Sequence, residues 1–263
     1  MTGGRFAGEL ALAAEVADRA GALLIERLGR AGTVRHKSPK DIVTEVDNLS
    51  EELILAAIRA VHPDDSTLAE ESGLAGPANG RTWVIDPLDG TINYANGIPF
   101  FCVSIGLVVD GVPSVGVVRD PIRAETYAAT VDGPATLDGR PIRVSAKELV
   151  SDLVISLTID GERLSERLGA IRQAIRVTRR LGSSALALAY VGNGRFDAFA
   201  QTHALSAWDV AAAGLIAERA GAMVTDVTGG PWFDLARPTQ RFSIVAAPPA
   251  HHDRLLALVR PAG

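Results

Sequence analysis

Apolar positions follow a helical period through the first sixty residues of the chain and give way to β-type runs after them. Residues 10–28 carry apolar side chains at helical spacing and meet Gly29, a natural stop, which predicts a first helix. The polar stretch 33–39, with His36 and Lys37, predicts a loop. Residues 47–61 predict a second helix whose inward face would hold Leu49, Leu53, Ile54, Ala57, Ile58 and Val61. His62-Pro63-Asp64-Asp65 ends it in turn chemistry, placing His62 in a loop. Thr67-Leu68-Ala69 reads as a short strand that delivers Glu70 and Glu71, and 73–80 as a flexible polar link.

Strands dominate next. Residues 81–85 are apolar and β-prone, 101–109 and 112–118 pair as a hairpin through Asp110-Gly111, and 125–130 extend the sheet. A boundary falls within 140–150, and beyond it strand and helix alternate. Strands are predicted at 153–158, 176–180, 196–200, 223–226 and 242–246, and helices at 162–175, 183–192, 209–220 and 251–259. Alternation of this kind implies stacked layers of helix and sheet. The chain is therefore of α/β class, with an α+β half, residues 1–143, and an α/β half, residues 144–263.

Composition narrows what such a chain can do. Of its 263 residues 47% are hydrophobic, enough to build a core that offsets conformational entropy. A net charge of −5 and a pI near 5.6 argue against a nucleic-acid partner. They leave an anionic substrate open, because bound cations invert a local field. The single cysteine, Cys102, cannot form an internal disulfide and sits in the apolar run 100–105, which fits a buried thiol in a reducing compartment. Charged residues such as Arg5, Glu9, Glu15 and Asp18 interrupt the first thirty residues, so they read as an amphipathic helix and not as a signal peptide or membrane span. The cytoplasm is the expected location, with no membrane partner. His251 and His252 read as a solvated helix start, and His203 as a surface or packing residue.

The chemistry concentrates in Trp83-Val84-Ile85-Asp86-Pro87-Leu88-Asp89-Gly90-Thr91. An apolar strand ends at Asp86, Pro87 cannot extend the ladder, and Gly90 permits a tight bend, so two carboxylates project from one turn. Such a pair repels itself unless a cation neutralises it, and magnesium, an oxygen-seeking ion, suits it. Thr91-Ile92-Asn93 would begin a short helix with N–H groups open to a phosphate. Asp-Pro and Asp-Gly are also ordinary turn dipeptides, Glu70-Glu71 an ordinary solvated edge, and Asp47 and Asp209 ordinary helix caps.

Taken in order, Asp41-Ile42-Val43-Thr44-x-x-Asp47, Glu70-Glu71, the run 83–91 and Trp208-Asp209-Val210-Ala211-Ala212-Ala213-Gly214 resemble the inositol monophosphatase family, over about residues 11–246. The resemblance implies a magnesium-dependent, lithium-sensitive phosphatase acting on a small phosphorylated metabolite, inositol 1-phosphate first among them. It also implies two or three Mg2+ ions, a homodimer, and the layered αβαβα sandwich of the inositol monophosphatase and fructose-1,6-bisphosphatase type. Carried onto this chain, it makes Glu70, Asp86, Asp89, Asp209 and the Leu88 carbonyl metal ligands. Glu70 and Thr91 would position the attacking water, with Asp47 helping to hold it through a further metal. Asp89, Gly90, Thr91 and Asp209 would face the phosphate and substrate, and Gly182, Ser183, Ser184 and Gln201 its hydroxyls.

This chain departs from the family pattern in two places. Ile92 replaces a threonine, and Gln201 stands where inositol-specific members place a glutamate, with one extra residue before Asp209. The departures keep sibling substrates open: histidinol phosphate, fructose 1,6-bisphosphate or a 3′-phosphonucleotide. A haloacid dehalogenase mechanism needs Asp-x-Asp, and Asp86 and Asp89 are one residue too far apart for it. A glycosidase would also use paired carboxylates but would not need magnesium. A scaffold protein without turnover would not need Glu70, Asp86, Asp89, Thr91 and Asp209 all intact.

Overall fold

Helices fill the spaces on and between two β-sheets. The computed structural model describes residues 4–29, 34–38, 41–162, 164–237, 239 and 241–260, and at 34–38 and 41 the backbone alone. The chain opens with α1 (Ala7–Arg27), passes through β1 (Val34–Ser38) and β2 (Asp41–Thr44), and enters α2 (Glu45–Val61). There follow β3 (Ser66–Ala69), β4 (Gly73–Ala75), β5 (Arg81–Asp89), the short α3 (Thr91–Ala95), β6 (Cys102–Val109), β7 (Val112–Asp120), β8 (Glu125–Thr130), β9 (Thr136–Leu137) and β10 (Arg140–Pro141). The last stretch holds β11 (Val154–Thr158), α4 (Leu164–Ala174), β12 (Val177–Arg179), α5 (Ser184–Ala189), β13 (Ala198–Leu205), α6 (Ala207–Arg219), β14 (Met223–Thr225), β15 (Phe242–Ala247) and α7 (Pro249–Val259).

Eight strands make the larger sheet, in the order β10-β9-β8-β7-β6-β5-β3-β4, antiparallel except where β3 lies beside β5. Five make the smaller, β12-β11-β13-β15-β14, with β11 parallel to both its neighbours. Successive residues of β5 enter different cores, as strand alternation requires. Trp83 and Ile85 pack with Val16, Leu24, Ile54 and Ile58 under α1 and α2. Val84 packs on the opposite face with Cys102, Leu186, Ala211 and Ile216, where α5 and α6 lie between the sheets. Beyond the smaller sheet, Ile155 and Val245 meet Ile171, Leu255 and Val259 of α4 and α7. The layers are those of the expected αβαβα sandwich.

Two close approaches set the height of α6 above the larger sheet. A Cβ on Gly116 of β7 would lie 2.6 Å from the Ala212 carbonyl oxygen, and one on Gly106 of β6 would lie 3.2 Å from the Ala211 Cβ. Glycine on the sheet and alanine on the helix let backbone approach backbone.

Several predicted segments differ from what the chain forms. The stretch 33–39, predicted as a loop, contains β1, which carries His36 and pairs antiparallel with β2; Thr33 and Pro39 lie outside the described residues. A two-stranded ribbon rests on backbone hydrogen bonds, which leave no apolar alternation to read. The link 73–80 contains the three-residue β4, paired with β3. On α2 the buried stripe is Val46, Asp47, Ser50, Glu51, Ile54, Leu55 and Ile58, while Val61 is exposed, because buried polar residues take part of the inward face. His62 caps the C-terminus of α2 and lies 5.6 Å from Trp83, ring to ring.

His251 and His252 are buried, at 3% and 1% exposure, and not solvated. They sit one turn before Leu255 and Leu256 on the inward face of α7. Nε2 of His251 is 2.7 Å from the Lys147 carbonyl oxygen and Nε2 of His252 is 3.0 Å from the Thr225 hydroxyl. Cys102 is buried as expected. Among the described residues no helix is long and apolar enough to cross a membrane.

Candidate active site

The site is built around the end of β5, which is buried from Thr82 to Asp89. Asp86 pairs with Ser104 and Asp89 with Cys102 on β6, so the partner strand has one residue fewer across this interval. Pro87, with no N–H to give, sits in the resulting bulge. The ladder is thus interrupted at Pro87 and resumes at Asp89, whereas the sequence predicts a strand that ends at Asp86. The Leu88 N–H donates to Asp86 Oδ1 at 3.0 Å, and Gly90, at φ 100°, turns the chain into α3. A side chain at Gly90 would crowd the Phe100 carbonyl oxygen at 3.1 Å and the Ser183 Cβ at 3.2 Å.

α6 brings the third aspartate. Ser206 is its N-cap, and Asp209, three residues on, accepts the Ser206 N–H at 2.6 Å. Asp209 is therefore the reciprocal partner of a capping box and not the cap itself. Asp86, Asp89 and Asp209 each place a carboxylate oxygen within 4.8 Å of the others. Asp89 Oδ2 also accepts the Ser183 hydroxyl at 2.5 Å and the Ala185 N–H at 2.7 Å. Glu70 follows β3, and its N–H donates to the Ile85 carbonyl at 3.2 Å, which sets it beside Asp86.

Burial, followed by the charges of Glu70, Asp89 and Asp209, holds the Asp86 carboxyl well above the usual carboxylate range. Burial raises Asp89 as well, against the hydrogen bonds from Ser183 and Ala185. Carboxylates crowded in this way repel until a cation neutralises them. An all-oxygen donor set beside a bulge carbonyl fits a hard divalent ion of the magnesium type.

A second group adjoins the first. Asp47 occupies the third position of α2 and closes a capping box with Thr44, whose hydroxyl and N–H donate to Asp47 Oδ2 at 2.5 and 2.9 Å. The Thr91 hydroxyl donates to Asp47 Oδ1 at 2.8 Å and lies 3.1 Å from the Leu88 carbonyl oxygen. Burial pushes the Asp47 carboxyl up, against these bonds. Asp47 thus meets Thr91 directly.

The third group lines the far side. Gly182, at φ 83°, lies against Asn93, whose amide donates to the carbonyls of Leu181 and Phe100, both at 2.6 Å. The Ser184 hydroxyl donates to Gln201 Oε1 at 3.1 Å, and Gln201 Nε2 donates to the His203 carbonyl at 3.2 Å. Between Gln201 and Leu205 β13 loses register with β15, taking four steps where β15 takes two from Phe242 to Ile244, and Ala204 takes φ 59°. His203 Nε2 is 3.9 Å from Asp160 Oδ2, both side chains well exposed. Ile92 is half exposed.

Sequence reasoning did not single out Thr44, Ser50, Glu51 or Asn93. The signal for Ser50 and Glu51 was their place one helical turn after Asp47 on the inward face of α2.

The comparisons agree with this geometry. The profile described as "Inositol monophosphatase family" matches residues 9–263. The protein called Nus factor SuhB of Pseudomonas aeruginosa is 36% identical, over 96% of this chain and 96% of its own. The Thermotoga maritima protein called fructose-1,6-bisphosphatase/inositol-1-monophosphatase is 39% identical over 80% of this chain and 82% of its own. Among solved structures, the extragenic suppressor protein suhB of Bartonella henselae superposes with a TM-score of 0.90 at 32% identity, covering 97% of this chain and 100% of that one. The Thermotoga maritima IMPase superposes at 0.87 and 33% identity, covering 96% of each. With its sandwich, its trio of aspartates and these relatives, the chain belongs to the inositol monophosphatase family of phosphoric monoester hydrolases.

Proposed function

We propose that the protein hydrolyses inositol 1-phosphate with Mg2+ held by Glu70, Asp86, Asp89, Asp209 and the Leu88 carbonyl. The convergence of Asp86, Asp89 and Asp209, from stretches of chain far apart in sequence, to within 4.8 Å carries this reading. Bound Mg2+ supplies positive charge to the phosphoryl and leaving oxygens and lowers the pKa of the attacking water. The chain does the rest. The Thr91 hydroxyl donates to Asp47, which leaves its oxygen lone pairs to accept from the water. Glu70 flanks that water, and the Asp47 carboxyl, raised by burial, takes the proton through Thr91. The N–H groups of Gly90 and Thr91 receive the phosphate. Gly182, Ser183, Ser184, Gln201 and Asp209 face the hydroxyls of the leaving alcohol.

Gln201 recognises such a hydroxyl without a charge, as donor and acceptor. That neutral side chain, and the relative named for two activities, favour a second reading within the same chemistry. Fructose 1,6-bisphosphate is then the substrate, with histidinol phosphate and a 3′-phosphonucleotide as further siblings. Two or three Mg2+ ions, lithium inhibition, a homodimer and a cytoplasmic location accompany the proposal as family-level expectations. Phosphate release from a panel of these monoesters, with Mg2+ and with chelator, tests it. Turnover that survives chelation refutes the metal reading, and a preference for another ester refutes inositol 1-phosphate.

A further inference from the structure

We propose that Glu51 is a positioning residue for the metal site, the clamp through which α2 fixes the bearing of Glu70. Glu51 is 4% exposed on the inward face of α2. Its Oε2 accepts the Glu71 N–H and its Oε1 the Ser72 N–H, both at 2.9 Å. The two oxygens of one buried carboxylate thus hold the two residues that follow Glu70, where β3 has ended and β4 has not begun. Both bonds are partly buried, and Glu51 supplies their two acceptors from inside the protein.

The neighbouring residue repeats the device. The Ser50 hydroxyl donates to the Pro87 carbonyl at 2.9 Å, inside the bulge between Asp86 and Asp89. Asp47, Ser50 and Glu51 stand at i, i+3 and i+4, so they share one helix face. That face touches Thr91, the bulge of β5 and the turn after Glu70 together. A helix is stiff over this length, so α2 acts as a bar that fixes the spacing of three separate pieces of the site. The inference rests on the reading of Glu70 as a metal ligand. A residue that orients a ligand without touching the ion changes metal affinity by about 10–100-fold when it is lost.

The test uses the full chain and three readouts: Mg2+ affinity by calorimetry, amide hydrogen exchange of metal-free protein at residues 71 and 72, and thermal melting. Glu51→Gln keeps the size but offers one acceptor to two amides, whereas Glu51→Asp keeps both acceptors on a shorter arm. Glu51→Gln is expected to raise the Mg2+ Kd about tenfold or more. Exchange should quicken at 71 and 72 and stay unchanged in β6 and β7, and Glu51→Asp should recover part of both effects. A Kd within twofold of the parent, with exchange quickened at 71 and 72, overturns the clamp, and so does unchanged exchange there. If Glu51→Gln does not fold, Glu51→Asp decides: an intermediate rise in Kd supports the clamp and an unchanged Kd overturns it. A parent that binds Mg2+ but hydrolyses no ester of the panel overturns the phosphatase reading and leaves the clamp to these readouts. A parent that binds no Mg2+ overturns both.

Discussion

Replacing Asp86 with asparagine separates what the acidic trio costs the fold from what it gives the enzyme. Asp86 Oδ1 accepts the Leu88 N–H, a bond that asparagine keeps. The substitution removes one negative charge within 4.8 Å of those on Asp89 and Asp209. At an effective dielectric of about 20, two unit charges at that distance repel by roughly 3.5 kcal/mol. Protonation relieves part of this, so a net gain of about 1–3 kcal/mol is expected for metal-free Asp86→Asn at pH 8. For a chain of this size that is a rise in Tm of roughly 2–10 °C.

The sign with pH follows from the raised carboxyls. The folded metal-free chain holds these protons more tightly than the unfolded chain, so its stability falls as pH rises from about 4 toward the raised folded values. Asp86→Asn escapes its share of that fall, so its advantage should vanish near pH 4 and grow above it. Mg2+ should invert the order, because ligand at about a thousand times the parent's Kd stabilises the parent by about 4.1 kcal/mol and the variant by much less. Melting curves from pH 4 to 8, in chelator and in Mg2+, read both effects, and phosphate release should be abolished in the variant. A metal-free variant no more stable than the parent at pH 8, or equally favoured at pH 4 and pH 8, refutes the reasoning.

Thr91→Ala removes the hydroxyl that donates to Asp47 and that the proposed function sets against the attacking water. It is expected to lower kcat by about 10²-fold or more with little change in KM, and steady-state kinetics showing kcat within threefold of the parent would remove Thr91 from the proton path. Gly116→Ala puts a Cβ 2.6 Å from the Ala212 carbonyl oxygen, so α6 must rise from the sheet and take Asp209 with it. A loss of about 1–3 kcal/mol in melting and weaker Mg2+ binding are expected. Gly8→Ala, with open space at its Cβ, is the control and should leave both unchanged or slightly improved.

The parts legible in the sequence are those whose cause is local. The strand, proline, glycine and threonine of 83–91 spell out an exit from a sheet, and Glu125–Thr130 has the bounds that its β-branched and aromatic residues suggest. The layered architecture followed from alternation, and the trio from motif order. What stayed hidden depends on partners far along the chain. Glu51 looks like one more charge on an amphipathic helix until amides twenty residues away are brought against it. His251 and His252 look solvated by residue type, although their spacing from Leu255, Leu256 and Val259 places them inward. The ribbon of β1 and β2 has no apolar period at all, and β4 is too short to show one. The inward stripe of α2 departs from its apolar spacing because Asp47, Ser50 and Glu51 take buried positions on it.

Asp86 and Asp89 emerge early during synthesis and Asp209 late, with β6 to β13 threaded between them. A growing chain therefore carries a half-made cage, two mutually repelling acids at the tip of β5, until α6 docks on Gly106 and Gly116. A cation bound by all three aspartates would therefore report that α6 has docked between the sheets, while β14, β15 and α7 still follow it in the chain.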